Sequence, residues 1–378
     1  MTQTLKEKMD NSEQNLVFPP QTLNNFNDQI SKKYPDIIDY DKHPAYVNLI
    51  KLANLKDKIR SIAIFTKFFF IVSVKRLISY ELIPAHLRKP KSISSFIVFF
   101  KKILLNNYFK LLYKKDIPVE QTGKQIFEKL DEQGICVVDI NQNQFDKIEK
   151  FAFPLIENLR AFRNQKTKKS REFTESRTTL LRPNNTDLFH AVESSFTESG
   201  ILEAIAKYLG RPVKVIDINP QINDKSDDFW RHFFSDLVME PNSTAYCHRD
   251  ASGGDVKVII YLSDVKIDNG PFSFIIGSHK SKPNWVDNRV QEVNDTSGFS
   301  ATDLKARQFF SALPAFLRKK CAFGNDLKTD SEAAKKISAA EWKITADKGH
   351  AVIFDSKGIH RGGMVLNDER LVITCIVG

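Results

Sequence analysis

In the second half of the chain, apolar residues come in short runs separated by turns: Val256 to Leu262, Phe272 to Ile276, Ala351 to Phe354 and Leu371 to Val377. Runs of this length with turn residues between them predict the short strands of a sandwich or barrel. Upstream the periodicity changes. Gln121 to Gln133 is spaced as a helix and stopped by Gly134, and Ile135 to Ile140 follows as a strand. Ile201 to Leu209 reads as a further helix ended by Gly210, and Pro212 to Asn219 alternates as a strand. The expectation is a mainly β fold with flanking helices.

The segment Lys280 to Glu341 interrupts the strands with polar and helical sequence, with helices expected over Ala306 to Lys320 and Ser331 to Ala340. An excursion of about 60 residues exceeds an ordinary connection, and such segments often cover sites, so 280–341 is a candidate lid. No internal repeat is present.

The N-terminal third has another texture. Residues 1–30 are rich in Asn, Gln, Lys and Glu and contain Pro19-Pro20, as in a loose leader. A helical pattern begins near Tyr46, and Ser61 to Val74 is mostly apolar, with Lys67 inside it. That run falls short of the roughly 20 residues a bilayer-spanning helix needs. Ile93 to Phe100 and Ile103 to Leu112 mix Phe, Ile and Leu with Lys101, Lys102 and Lys110, the composition of a basic amphipathic surface.

Charge sharpens this division. The chain carries a formal +10, yet residues 51–115 alone hold 15 Lys or Arg against Asp57 and Glu81. That segment is +13, which leaves −3 on the remainder. Two parts follow: 1–115, a polar leader and basic helical region, and 116–378, the β domain with its 280–341 insertion. The basic part suits an anionic membrane surface or another acidic partner. Nucleic acid is disfavoured because no nucleic-acid motif accompanies the lysines. Cys136, Cys247, Cys321 and Cys375 are far apart and signal neither a disulfide framework nor a zinc site. With no secretory signal at the N-terminus, the expected compartment is the cytoplasm, with peripheral membrane association through 51–115.

The chemistry-bearing residues lie in the β part. His248-Arg-Asp250 precedes the strand Val256 to Leu262. Residues two apart on an extended chain point to one face, so both side chains could reach one metal. A further ligand would complete two imidazoles and one carboxylate, a set that suits non-haem Fe(II) and leaves positions open. By itself the triplet is a weak signal.

The wider order of motifs adds to it. After His248-x-Asp250 come Lys257 to Val265, Asn269-Gly-Pro-Phe272, Gly277-Ser-His279, the strand Gly349 to Phe354, His360, and Arg370 ten residues later. This constellation resembles the phytanoyl-CoA dioxygenase family of Fe(II)- and 2-oxoglutarate-dependent oxygenases, over roughly residues 120–378. The resemblance implies a double-stranded β-helix, or jelly roll. It implies that His248, Asp250 and His360 bind iron and that Arg370 pairs with the distal carboxylate of 2-oxoglutarate. It also implies dioxygen as co-substrate, succinate and CO2 as products, and hydrogen abstraction from a small-molecule metabolite. Because Asp250 is kept where related halogenases have a small residue, hydroxylation is expected, with desaturation or ring closure as other outcomes.

Several neighbours are weighed against that set. On the last strand Thr374 shares a face with Arg370 and is a second candidate donor to 2-oxoglutarate. Alternation in Val256 to Leu262 puts Lys257, Ile259 and Tyr261 on one face. If that face looks inward, Lys257 and Tyr261 could touch co-substrate or substrate; the other reading places Lys257 outside. His279 reads as a turn residue, His350 as the residue before a strand, His232 as packing and Cys247 as a buried thiol. Two other classes of function stay open at this point. One is a protein acting on a membrane surface or a partner through 51–115. The other is a metal-binding jelly roll without oxygenase activity.

Overall fold

The computed structural model describes residues 16–26, 37–77, 121–164, 184–224, 235–237, 239, 242–250, 255–280, 285–297, 304–319, 324 and 326–378. The apolar-basic runs Ile93 to Phe100 and Ile103 to Leu112, and His232, lie outside the described residues.

The strands are β1 (Leu16–Val17), β2 (Ile135–Asp139), β3 (Val215–Asp224), β4 (Val256–Tyr261), β5 (Ser273–Ile275), β6 (Glu341–Lys343), β7 (His350–Asp355), β8 (His360–Arg361) and β9 (Glu369–Val377). They form a six-stranded sheet in the order β1-β2-β7-β4-β9-β3 and a three-stranded sheet in the order β6-β5-β8. Every strand pairing among the described residues is antiparallel. The two sheets face each other as a double-stranded β-helix, the jelly roll expected from the order of motifs. Ile135, Val137, Ile259, Tyr261, Val352, Phe354 and Val372 of the large sheet pack in one cluster with Phe272, Phe274, Ile276, Trp342 and Ile344.

The opposite face of the large sheet is covered by helices. Val256, Val258, Ile260, Ile353, Ile373 and Cys375 pack there against α3 (Gln121–Gln133), α4 (Gln142–Asn164), α5 (Thr186–Glu198) and α6 (Ile201–Leu209). Alternation along each strand therefore sorts side chains between a helix-covered outer face and an inner face turned to the small sheet. Gly200 and Gly210, both in the left-handed region, bound α6 at its two ends. Helices α4 and α5 lack short periodic runs like those that mark the strands; their buried stripes are legible only against the sheet they cover.

A separate cluster builds the other half of the molecule. Helix α1 (Pro44–Leu52), helix α2 (Leu55–Leu77), helix α7 (Trp285–Thr296) and helix α8 (Leu304–Ser311) share a core of Tyr40, Tyr46, Phe65, Val72, Val290, Val293, Phe310 and Leu313. The first part of the 280–341 insertion thus packs on the N-terminal helices. Its second part, α9 (Glu332–Ala339), packs behind the metal-motif strands, where Ala333 and Ile337 meet Cys247, Ile275 and Ile359. The helix expected over Ala306 to Lys320 stops at Ser311, because Pro314 lacks the N–H that would continue it.

Candidate metal centre

His248 and His360 are brought side by side by their backbones. The His248 N–H donates to the His360 carbonyl at 3.0 Å and the His360 N–H to the His248 carbonyl at 2.9 Å. Directly opposed residues of an antiparallel pair hold their side chains on the same face, and the two imidazoles lie with ring centroids 4.5 Å apart. Asp250 N–H donates to the Ser356 carbonyl at 3.1 Å, which ties it to the turn that leads into His360. Its carboxylate reaches both rings: Oδ1 is 3.9 Å from His248 Nε2 and Oδ2 is 3.6 Å from His360 Nε2. One ligand atom from each of the three lies within 4.8 Å of the others.

Both rings are oriented by the chain around them. His248 Nδ1 lies 2.8 Å from the Tyr246 carbonyl, and His360 Nδ1 lies 2.9 Å from the Gly358 carbonyl. A carbonyl only accepts, so each Nδ1 carries the proton and each Nε2 lone pair is left toward Asp250. Tyr246 achieves this with φ +65, an uncommon conformation for a non-glycine residue. Gly358 has its own requirement: a Cβ there would stand 2.1 Å from the Phe274 ring. Phe272 and Phe354 wall the buried His360, with centroids 5.7 and 5.1 Å from its ring.

The electrostatics match a metal-ligand set. Burial, and then the neighbouring His248, push the His360 imidazole down to about 3, so it stays neutral. Burial works to raise the Asp250 carboxyl, but His360, Lys257 and His248 outweigh it and hold it below its ordinary value. Two neutral imidazoles and a carboxylate fit a divalent ion of the Fe(II) type.

Other residues anticipated from the sequence are distributed as follows. Lys257 sits on the inner face, opposite Phe354 and Ile376, with Nζ 2.6 Å from Asp250 Oδ2. Arg370, on the same inner face of β9, is 7% exposed, and its Nε and Nη1 have no hydrogen-bond partner among the described residues. A buried guanidinium without an anion is costly, so the position fits the distal carboxylate of 2-oxoglutarate. Thr374, two inner-face positions along β9 with Val372 between, accepts from Gln221 Nε2 at 3.0 Å and keeps its own hydroxyl hydrogen available. Tyr261 is fully buried and donates its hydroxyl to the Ile344 carbonyl at 3.0 Å. That bond engages the hydrogen a co-substrate would need, which leaves Tyr261 as an inner-face ring beside Val372. His279 contacts the Asp131 carbonyl at 3.2 Å, His350 contacts the Asp347 carbonyl at 3.0 Å, and Cys247 is buried, all apart from the triad.

Some supporting residues went unread in the sequence. Arg361, next to His360, forms a two-pronged pair with Glu341 at 2.7 Å per prong. Its Nη1 donates to the Ser243 and Ala245 carbonyls at 3.1 and 2.9 Å, just ahead of His248. Ser278 joins the same segments from below: its hydroxyl accepts from Ile359 N–H at 2.7 Å and its carbonyl from Arg249 at 2.8 Å. The only prior signal was the Gly277-Ser-His279 turn.

A two-sheet β-helix with two imidazoles and a carboxylate on one inner face is a frame suited to non-haem iron. The model of the phytanoyl-CoA dioxygenase (PhyH) family matches residues 130–370, and the chain belongs to that family. It is accordingly an oxidoreductase of the iron- and 2-oxoglutarate-dependent oxygenase class. Among solved structures the chain is similar to AviO1 from Streptomyces viridochromogenes Tue57, with 12% identity over 68% of this chain and 94% of that one, TM-score 0.36. It is similar to EctD from S. alaskensis with bound Fe, with 12% identity over 70% and 82%, TM-score 0.41. It is also similar to the non-heme alpha ketoglutarate dependent carbocyclase SnoK from nogalamycin biosynthesis, with 13% identity over 69% and 86%, TM-score 0.37. No curated protein matches the chain.

Proposed function

We propose that the protein oxidises an unactivated C–H bond of a small-molecule metabolite at a centre formed by His248, Asp250 and His360, with 2-oxoglutarate and dioxygen as co-substrates. The observation that carries this reading is the convergence of two Nε2 lone pairs and one carboxylate, with the buried Arg370, whose Nε and Nη1 have no hydrogen-bond partner among the described residues, on the inner face of the large sheet. When bound, Fe(II) would supply the oxidising chemistry, coupled to conversion of 2-oxoglutarate to succinate and CO2.

The chain's own part is positioning. Tyr246 and Gly358 carbonyls hold the rings, Arg370 anchors the distal carboxylate with two parallel hydrogen bonds, and Thr374 donates beside it. Lys257 touches Asp250 and compensates its charge. Phe272 and Phe354 keep the His360 side of the centre dry. Retention of the carboxylate at Asp250 favours hydroxylation, with desaturation or ring closure as the other outcomes of the same abstraction. The 280–341 insertion, tied by α9 to the ligand-bearing strands, is proposed as the cover of the substrate. Protease cleavage within it that is unchanged by Fe(II), 2-oxoglutarate and substrate would count against that role.

The test is oxygen-dependent succinate release from 2-oxoglutarate across a panel of metabolites. Stimulation by one metabolite, with a product changed in mass by one oxygen or by two hydrogens, is expected. Iron binding without any 2-oxoglutarate turnover would instead favour a metal-binding jelly roll of another activity. We also infer that the basic 51–115 region attaches the enzyme to an acidic surface, independently of the iron chemistry. Among the described residues, Cys136 and Cys375 are buried thiols outside any disulfide, in keeping with a reducing cytoplasm.

A further inference from the structure

Helix α2 has two apolar faces. One is buried: Phe65 and Val72, with Ser61, face the helical core, and Ile64 and Phe68 pack at its margin. The other points to solvent, where Leu55, Ile59 and Phe70 are 73%, 61% and 70% exposed and Ile62 and Phe69 are 41% and 38% exposed. At about 100° per residue these five fall within an arc of about 100° on the side away from the core. Lys56, Arg60 and Lys67 lie along one flank of that arc and Lys58 along the other, all exposed. The acid nearest them, Asp57, belongs to the helix start: its N–H donates to Asn54 Oδ1 at 2.9 Å, and its Oδ2 accepts from Asn54 N–H at 3.2 Å.

A helix on a globular core needs one apolar stripe, and a second one facing water marks an interaction site. An outward apolar arc flanked by lysines is the pattern of a helix lying in a membrane interface. The aliphatic stems of such lysines extend over the apolar face while the ammonium groups reach lipid phosphates. No helix among the described residues is long and apolar enough to cross a membrane, so the contact is with the surface. Charge decides between occupants. Residues 78–115 of the same chain carry eight Lys or Arg against Glu81, the same sign as the α2 flanks, whereas an anionic leaflet is complementary.

We propose that the outward face of α2 docks the enzyme on an anionic bilayer surface. Leu55, Ile59, Ile62, Phe69 and Phe70 enter the boundary between headgroups and acyl chains, and Lys56, Lys58 and Lys67 meet the phosphates. The contact involves none of the iron-site residues and holds with or without metal.

The experiment is co-sedimentation of the full-length protein with vesicles of phosphatidylcholine alone and of phosphatidylcholine mixed with phosphatidylglycerol. Binding to the mixed vesicles, weaker binding to the neutral ones and release by salt are expected. The variant Lys56→Glu/Lys58→Glu/Lys67→Glu should bind roughly 100-fold more weakly, at about fivefold per cation lost. Ile59→Ser/Ile62→Ser/Phe70→Ser keeps every charge and should lose at least about tenfold.

A bimane label on Phe70→Cys, in a Cys321→Ser background, should shift to the blue when mixed vesicles are added. A label already blue-shifted without vesicles and unchanged by them would mean that the chain's own 78–115 segment covers the face, which overturns the proposal. Three other results would also overturn it: no binding to mixed vesicles at low salt, binding undiminished in both triple variants, or binding to heparin without binding to vesicles.

Discussion

The β-helix turns polar chemistry inward, whereas the helical cluster turns apolar side chains outward. Around the candidate iron ligands several polar groups have partners: the rings hold backbone carbonyls, and Arg361 holds Glu341. Arg370 contrasts with these, its buried guanidinium having two nitrogens without a hydrogen-bond partner among the described residues. On α2 the departure is of the opposite kind, an apolar arc on the outside. Buried charge without an anion and exposed apolar surface without cover are both unfavourable in water. Each is therefore where a partner is proposed, a dicarboxylate in one region and a lipid surface in the other.

The comparison can be broken most directly through the two faces of α2. Phe65→Ala removes a ring from the helical core and should destabilise the protein by about 3–5 kcal/mol, while Phe70→Ala should stay within about 0.5 kcal/mol. Urea denaturation followed by circular dichroism separates them, and equal effects would mean that the outward face is packed after all.

In the β-helix, Arg370→Ala should weaken apparent 2-oxoglutarate affinity roughly 10- to 150-fold, the range of a charge-assisted hydrogen bond. Iron affinity should move by less than about twofold, which makes the ratio of the two titrations the informative quantity. Arg361→Gln takes away the bonds to Glu341 and to the turn ahead of His248. Loss of such outer support should lower Fe(II) affinity about 10- to 100-fold without changing vesicle binding. Restoration by Arg361→Lys would show that charge suffices; its failure would show that the two-pronged geometry is required.

The smallest expected effect is on pH. Because folding pushes His360 down to about 3 from 6.5, the unfolded chain binds a proton there that the folded chain excludes. The stability of the metal-free protein attributable to this group is complete above about 6.5 and is lost as pH falls toward 3. Thermal melts across that window should show a falling midpoint, with a shallower slope in His360→Gln.

Much of the β-helix was legible in the chain because its signals are local. Alternation marks strands, and His248, Asp250 and His360 fall in the segments whose pairing brings the three together. Lys257 could not be assigned to a face from alternation alone; the register against Phe354 and Ile376 decides it. Arg361 and Glu341 look like surface charges in sequence, since nothing local shows that they meet across β8, β5 and β6. The joining of residues 44–77 with 285–317 was invisible for a related reason: segments so far apart in the chain are matched by surface shape, which no short pattern encodes.

The most direct test of the central claim is spectroscopic. Anaerobic addition of Fe(II) and then 2-oxoglutarate to the purified protein should produce a visible charge-transfer band, absent from His360→Ala and restored to neither component alone. A correctly folded protein that shows no band, or the same band in His360→Ala, would contradict the assignment of His248, Asp250 and His360 as the iron ligands.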